Sequence, residues 1–289
     1  MSFYVKADVF PASYAGGNPL GVILDGDNWS DEQMQKFAKW SDIVETTYVM
    51  KPTNPIADYK VRIFMTTKEI PFAGHPTIGT AYALIKNGMI APKSNIIYQE
   101  CGNGIIPILV DGEKLFLRSP DSLITQSPSE ENIILSEILE NLPLGKLPPA
   151  LIDGGRKWWV AEIGEEQSLR NWIPTLDKIK VLANTTNSMG ICLFSKSTNP
   201  DGDYDIVVRA FPGGVGIIED PASGAANGLI GSYILKYDDD YKDKTEYTVS
   251  QGREMGFDAK LIIRFFDNGV WVGGNTNIIH EGKVFWPQN

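Results

Sequence analysis

The chain has 289 residues, enough for one large domain or two of ordinary size around a substantial core. Its 26 lysines and arginines stand against 36 aspartates and glutamates, a net charge of −10 with no basic run, which argues against nucleic acid and anionic membrane as partners. The start, Met1-Ser2-Phe3-Tyr4-Val5-Lys6-Ala7-Asp8, lacks a signal-peptide hydrophobic region, and no apolar run approaches a bilayer span, so a soluble, cytoplasmic protein is expected.

In chain order, segments rich in β-branched and aromatic residues predict strands at 4–10 and 19–25. Ser30-Asp31-Glu32-Gln33 then supplies an N-cap with Gln three residues on, and Met34, Phe37 and Ala38 form one apolar stripe. That pattern predicts a short surface helix ending near Trp40 and packed on a sheet. Strands follow at 46–50 and 59–64. Pro76, a favoured first helical residue, opens a helix that continues through Ile85 to a stop at Asn87-Gly88. Its small, uncharged surface implies burial inside a curled sheet. Strands at 95–100, 105–110 and 114–118 complete a first half.

A charged, Pro-rich region runs from Ser127-Pro128-Ser129-Glu130-Glu131 through Pro143, Pro148 and Pro149 and reads as a crossover with one helix in it. The domain boundary is placed just before it, giving halves of 1–122 and 123–278. The second half repeats the first, with strands near 157–163, 190–195 and 204–211. A buried small-residue helix runs from Ala222 to about residue 235, and strands at 260–265, 270–273 and 277–284 follow. Asp238-Asp239-Asp240 reads as a solvated surface turn without metal-ligand spacing.

The repeat is visible as a motif. Glu69-Ile70-Pro71-Phe72-Ala73-Gly74 shares the frame Glu-x-Pro-x-x-Gly with Glu219-Asp220-Pro221-Ala222-Ser223-Gly224. Each copy follows an Arg-x-Phe triplet, Arg62-Ile63-Phe64 or Arg209-Ala210-Phe211, and runs into a Gly/Ala-rich helical pattern, so two related halves are expected. A strand, a tight turn and a helix start leave backbone N–H groups pointing one way, and two such turns facing a cleft would hold a small carboxylate without Lys or Arg. The other reading is that both turns merely pack helix on strand.

Cys101 and Cys192 are the only cysteines, too few for a disulfide framework, and the only histidines, His75 and His280, lie too far apart for a local metal-ligand motif. No metal site is legible. Glu45 sits between Val44 and Thr46 at the start of an apolar strand, where a carboxylate is costly unless hydrogen-bonded or functional. His75 reads equally as a helix cap, and Asp220 as an ordinary helix N-terminal acid.

Gly17-Asn18-Pro19-Leu20, Glu45-Thr46-Thr47, the Glu69 to Thr77 block and the Glu219 to Gly224 block resemble, in order and spacing, the signature blocks of the phenazine-biosynthesis PhzF-like family. Gln251-Gly252-Arg253-Glu254-Met255-Gly256 and Val270-Trp271-Val272-Gly273-Gly274 add weaker matches, so the resemblance spans the chain. It implies the α+β, diaminopimelate-epimerase-like fold: two pseudo-symmetric halves, each a curled, mostly antiparallel sheet around a central helix, with the active site between them. The last strand, 279–289, is implied to return to the first half.

The same resemblance implies a cofactor-independent isomerase. In the family's phenazine-pathway enzyme, the Glu of the Glu-Thr-Thr block moves a proton between carbons of trans-2,3-dihydro-3-hydroxyanthranilate without metal or cofactor. Here that residue is Glu45. His75 is implied to touch substrate and assist protonation, and Asp220 to hold a substrate amino or hydroxyl group or tune the acid–base pair. Gly74, Ser223 and Gly224 would offer turn amides to a substrate carboxylate, and Asn18 would support the cleft. Val44 and Ala225 stand where the family often has Ser, so a more apolar pocket and a different small carboxylated substrate are expected. A homodimer is also implied, with Trp158 and Trp159 as surface candidates, of which at most one should be exposed.

Two other readings are weighed. Racemases and epimerases of this fold use two opposed cysteines, but the positions in register hold Ala73 and Ser223, and Cys101-Gly102-Asn103-Gly104 is followed by a strand pattern and not a helix. A binding protein without turnover would keep the same cleft.

Overall fold

A computed structural model describes residues 1–126, 132–199 and 202–286, so the Ser127–Glu131 part of the expected crossover and the end of the returning segment lie outside the described residues. The chain divides into two units, Met1–Leu117 with Gly273–Asn289, and Arg118–Val272. Among the described residues no helix is long and apolar enough to cross a membrane.

The first unit starts with β1 (Ser2–Val9), β2 (Asn18–Ile23), α1 (Asp31–Ser41), β3 (Glu45–Met50), β4 (Tyr59–Met65) and β5 (Glu69–Ile70). It continues with α2 (Gly74–Lys86), β6 (Ile96–Cys101), β7 (Gly104–Asp111) and β8 (Lys114–Arg118). From β1 onward the pairings are antiparallel with β2, parallel to β3, antiparallel to β4, parallel to β6 and antiparallel to β7. The expected capping box opens α1: Ser30 Oγ accepts from Gln33 N and Gln33 Oε1 accepts from Ser30 N. Its apolar stripe, Met34, Phe37 and Ala38, is buried with Trp29, Tyr48 and Phe64.

The second unit holds β9 (Leu123–Gln126), α3 (Ile133–Leu139), β10 (Ala150–Asp153), β11 (Lys157–Glu162), α4 (Glu166–Asn171) and α5 (Leu176–Thr186). Then come β12 (Ile191–Lys196), β13 (Ile206–Phe211), α6 (Gly224–Tyr237), β14 (Glu246–Gln251), β15 (Ala259–Phe266) and β16 (Gly269–Gly274). The pairings run β10–β11 antiparallel, β11–β12 parallel, β12–β13 antiparallel, β13–β14 parallel and β14–β15 antiparallel. That is the order of the first unit, so the sequence repeat is a repeat of topology. The last strand, β17 (Thr276–Val284), pairs antiparallel with β1 from Ser2↔Val284 to Val9↔Thr276.

Each unit wraps strands around one apolar helix. α2 packs against β1, β2, β3, β6 and β17, and ten of its residues, His75 through Leu84, are buried. α6 packs on β11 and β15, with Ala226 to Gly231, Tyr233 and Ile234 buried. Gly and Ala let these helices approach the strands closely, which accounts for their composition.

The charged residues of the repeated frame have a structural task. Arg62 donates through Nε and Nη2 to Glu69 Oε1 and Oε2 at 2.8 and 2.7 Å, and Arg209 grips Glu219 the same way at 2.9 Å for both bonds. In both triplets the guanidinium also lies over the Phe two residues on, 5.2 Å from Phe64 and 5.0 Å from Phe211, because alternate residues share a face of a strand. A bidentate fork fixes the segment before each helix to the strand behind it. The two forks differ in burial, with Arg209 and Glu219 almost sealed and Glu69 well exposed. Arg209 additionally donates Nη1 to the carbonyls of Leu169 and Trp172 at the end of α4.

Three expectations are corrected. α2 begins at Gly74, two residues before Pro76, and α6 at Gly224, because in each copy the helix takes over directly after the turn. Trp158 and Trp159 are both buried, at 2% and 1% exposure, so neither is a surface for a partner subunit. The reason is that β11 is covered twice, by α6 and by a cluster in which Trp159 packs with Leu135, Leu169, Ile179 and Leu182 of α3, α4 and α5. Asp238 is fully buried and not solvated: Lys196 Nζ lies 2.7 Å from its Oδ2 and Asp240 N donates to its Oδ1.

Removing one member of a buried ion pair strands the other, whereas an exposed pair is worth little. Glu219→Ala is therefore expected to lower the unfolding free energy by about 3–5 kcal/mol. Glu69→Ala should cost about 0–1 kcal/mol. Urea-unfolding curves of the two variants check the difference, and equal losses would refute it.

Candidate active site

In the first unit the structure gathers Asn18, Glu45, Gly74 and His75. Glu45 is the first residue of β3, across from Leu20 in parallel β2 and from Met65 in antiparallel β4, and is 7% exposed. His75 is the second residue of α2 and equally buried. Its ring donates to the Pro19 backbone carbonyl, and its Nε2 lies 3.4 Å from Glu45 Oε2.

Burial pulls the imidazole down to about 3, against the opposing effect of the Pro19 bond. At neutral pH the ring is therefore uncharged, and the contact is not an ion pair. With its N–H committed to Pro19, the neutral ring turns a lone pair on Nε2 toward the Glu45 carboxyl. A carboxyl and an imidazole lone pair in this arrangement can pass one proton between them.

Several contacts hold the two side chains at this separation. Ala73 caps α2 with no side-chain hydrogen bond, so the helix start is fixed by its neighbours. Thr77 Oγ1 donates to Ala73 O at 2.9 Å and accepts from Gln99 Nε2 at 2.9 Å. One turn further on, Thr80 Oγ1 meets Thr47 Oγ1 at 2.8 Å, tying α2 to β3, the strand that Glu45 opens.

On the other side, Asp8 of β1 anchors the Gly17-Asn18-Pro19 turn: its Oδ1 accepts from Gly17 N at 2.8 Å, and Ala15 and Gly16 add backbone bonds. Burial outweighs these bonds and holds the Asp8 carboxyl above its ordinary range. A Cβ at residue 17 would collide with the Val9 carbonyl oxygen, so only Gly fits there. Asp8 was missed at the sequence level, although an acid between Ala7 and Val9 in an apolar strand carries the same burial argument as Glu45.

In the second unit the structure gathers Asp220, Ser223 and Gly224. Asp220 N bonds to Ala210 O, and Asp220 Oδ1 accepts from Ala222 N at 3.1 Å. Ser223 caps α6, its Oγ accepting from Ala226 N at 3.3 Å, and Gly224 is the first helical residue. Ser223 N donates to Gln251 Oε1 at 3.3 Å, so this turn amide is already engaged within the unit and not offered to a ligand as expected. Both Gln251 and Asn227 are buried here; Asn227 was not singled out from sequence, and Gln251 stood there only at the head of a weaker family block with no role assigned.

Counting from the forked Arg and Glu of each unit, Gly190 and Ala225 occupy in the second the places of Glu45 and His75 in the first. Cys101 ends β6 and is buried, Cys192 is sealed in β12, and burial pushes both thiols up. Neither is a poised thiolate.

The comparisons agree with this architecture. The family profile described as "Phenazine biosynthesis-like protein" matches residues 7–282. Antisense-enhancing sequence 1 of Schizosaccharomyces pombe is 34% identical over 298 residues, covering 98% of each chain. The trans-2,3-dihydro-3-hydroxyanthranilate isomerase of Pseudomonas aeruginosa is 27% identical over 99% of this chain and 100% of its own. Among solved structures, a Bacillus anthracis PhzF-family protein superposes with a TM-score of 0.83 at 24% identity, covering 99% of both chains. A probable proline racemase of Agrobacterium radiobacter superposes at 0.63 with 12% identity, covering 99% of this chain and 94% of its own.

Fold and relatives together define an isomerase of the PhzF type, built on a racemase-like frame. The chain belongs to the phenazine biosynthesis-like family.

The pH dependence follows from His75. In the unfolded chain an imidazole takes up a proton below about 6.5, whereas the folded protein refuses it until about 3. The stability contributed by keeping this ring neutral is full above 6.5 and is lost as pH falls from 6.5 toward 3. Between pH 7 and pH 5 wild type should lose about 2 kcal/mol more than His75→Gln. Urea unfolding of both proteins at pH 7, 6 and 5 measures the gap, and parallel pH profiles would show that the ring is not held neutral.

Proposed function

We propose that the protein is a cofactor-independent isomerase that moves a proton between carbons of a small carboxylated, cyclic or unsaturated compound. The observation that carries this reading is the buried contact of 3.4 Å between Glu45 Oε2 and His75 Nε2. A carbon acid requires a base shielded from water and a partner that keeps the removed proton available for return. Glu45 takes the proton from one carbon and delivers it to another, while neutral His75 shares it through Nε2 in the interval.

The remaining residues bind. The amide of Gly74 at the first position of α2, and that of Gly224 at the first position of α6, are each a helix start able to receive a carboxylate. Asp220 accepts from a substrate amino or hydroxyl group, and Asn18, beside the Pro19 carbonyl that orients His75, supports the site. Val44 and Ala225 offer no hydroxyl, so this site favours a substrate with fewer hydrogen-bonding groups than one read by Ser at both places.

The test is incubation with trans-2,3-dihydro-3-hydroxyanthranilate in deuterated water, followed by proton NMR, beside Glu45→Gln. Wild type should wash deuterium into a ring carbon and isomerise the compound, and the variant, still folded and binding, should be slower by about 10²- to 10⁴-fold. Equal exchange in the variant would remove Glu45 from the mechanism. Resonance shifts without labelling in wild type would turn the reading into one of binding alone.

A further inference from the structure

Gln251 is the last residue of β14 and is 1% exposed. Its carboxamide meets three groups around the turn that leads into α6. Nε2 donates to Asp220 O at 2.7 Å, while Oε1 accepts from Ser223 N at 3.3 Å and from Asn227 Nδ2 at 2.8 Å. Asn227 Nδ2 also donates to Ser223 O at 2.8 Å. These contacts require a donor at one end of the Gln251 amide and an acceptor at the other, so one orientation alone satisfies all of them.

The backbone presses the same residues together. Gly252 follows with φ +88°, and a Cβ there would lie 2.7 Å from Pro221 O, so the end of β14 rests directly on the Glu219–Gly224 turn. In the first unit the corresponding strand end is Cys101-Gly102, with Gly102 against Pro71. A thiol there replaces the amide. In the first unit Gln99 reaches the turn through Thr77, which bonds to Ala73 O, whereas in the second Gln251 bonds to the turn backbone directly, at Asp220 O and Ser223 N.

We propose that Gln251 is a positioning residue of the active site. By joining the Asp220 carbonyl, the Ser223 amide and the Asn227 side chain, it sets the direction of the Asp220 carboxyl and of the Gly224 amide next to it. The inference rests on the isomerase reading for the roles of Asp220 and Gly224, while the anchoring itself does not.

Two variants and two readouts test it. Gln251→Met keeps the length of the side chain but has no donor and only a weak sulfur acceptor. Gln251→Glu keeps the acceptor and regains a donor toward Asp220 O only when its carboxyl is protonated. With thermal unfolding showing both proteins folded, kcat/KM for trans-2,3-dihydro-3-hydroxyanthranilate should fall about 10- to 100-fold in Gln251→Met at every pH, mainly through kcat. Gln251→Glu should show the same loss at pH 8 and recover toward wild type, compared at equal pH, as the solution is acidified. A purely structural defect would not track the protonation of one added carboxyl.

The second readout needs no turnover. Amide hydrogen exchange across 219–228 should quicken in Gln251→Met while β13 and β15 stay protected. Wild-type kcat/KM in Gln251→Met, or unchanged exchange in 219–228, overturns the proposal. If wild type itself fails to act on the compound, that compound is not its substrate, and the exchange measurement still decides whether Gln251 holds the turn.

Discussion

A bidentate Arg–carboxylate fork stands at the same place in both units. Arg62 with Glu69 and Arg209 with Glu219 each fasten the segment before a buried helix to the strand behind it, and the planar guanidinium leaves little freedom in that angle. The forks act together with Thr77 and Gln99 at the start of α2 and with Ser223, Asn227 and Gln251 at the start of α6. Where the fork places the turn, the first helical residues follow, and with them His75 in one unit and the Ser223–Gly224 pair in the other. The residues that make the repeat most visible are thus those that aim the site, not those that perform chemistry.

The duplicated topology carries different chemistry in its two copies. The first unit has Glu45 and His75, and the second has Gly190 and Ala225 at the matching places. Around the turn, the second unit bonds Gln251 and Asn227 to each other and to the backbone of Ser223, where the first uses Gln99 and Thr77 at Ala73.

What could be read from sequence was what local contacts decide. The Ser30–Gln33 capping box and the apolar stripe of α1 lie within a few residues of each other, and both are found in place. The site residues were legible because they belong to short blocks. Their geometry was not: Glu45 meets His75 across 30 positions only because Thr47 and Thr80 tie a strand to a helix and the Pro19 carbonyl turns the ring. The errors share a cause in tertiary covering. Alternation predicts one buried and one exposed Trp in β11, yet the strand is covered on both faces, and Asp238 looks solvated until Lys196 is brought to it. Strand β14 escaped prediction because it reads as polar, Glu246-Tyr247-Thr248-Val249-Ser250-Gln251, and with it went the contacts of Gln251, which the sequence shows only as the head of a block.

The distribution of sulfur has a practical side. Each unit contains one cysteine, Cys101 in the first and Cys192 in the second, and both are buried free thiols whose ionisation is suppressed. A thiol reagent reaches either one when the structure around it opens, since a buried, protonated sulfur reacts poorly. The native chain therefore carries two internal probes: the modification rates of the two sulfurs, resolved by peptide mass, read the opening of the structure around each one separately and without any engineered label.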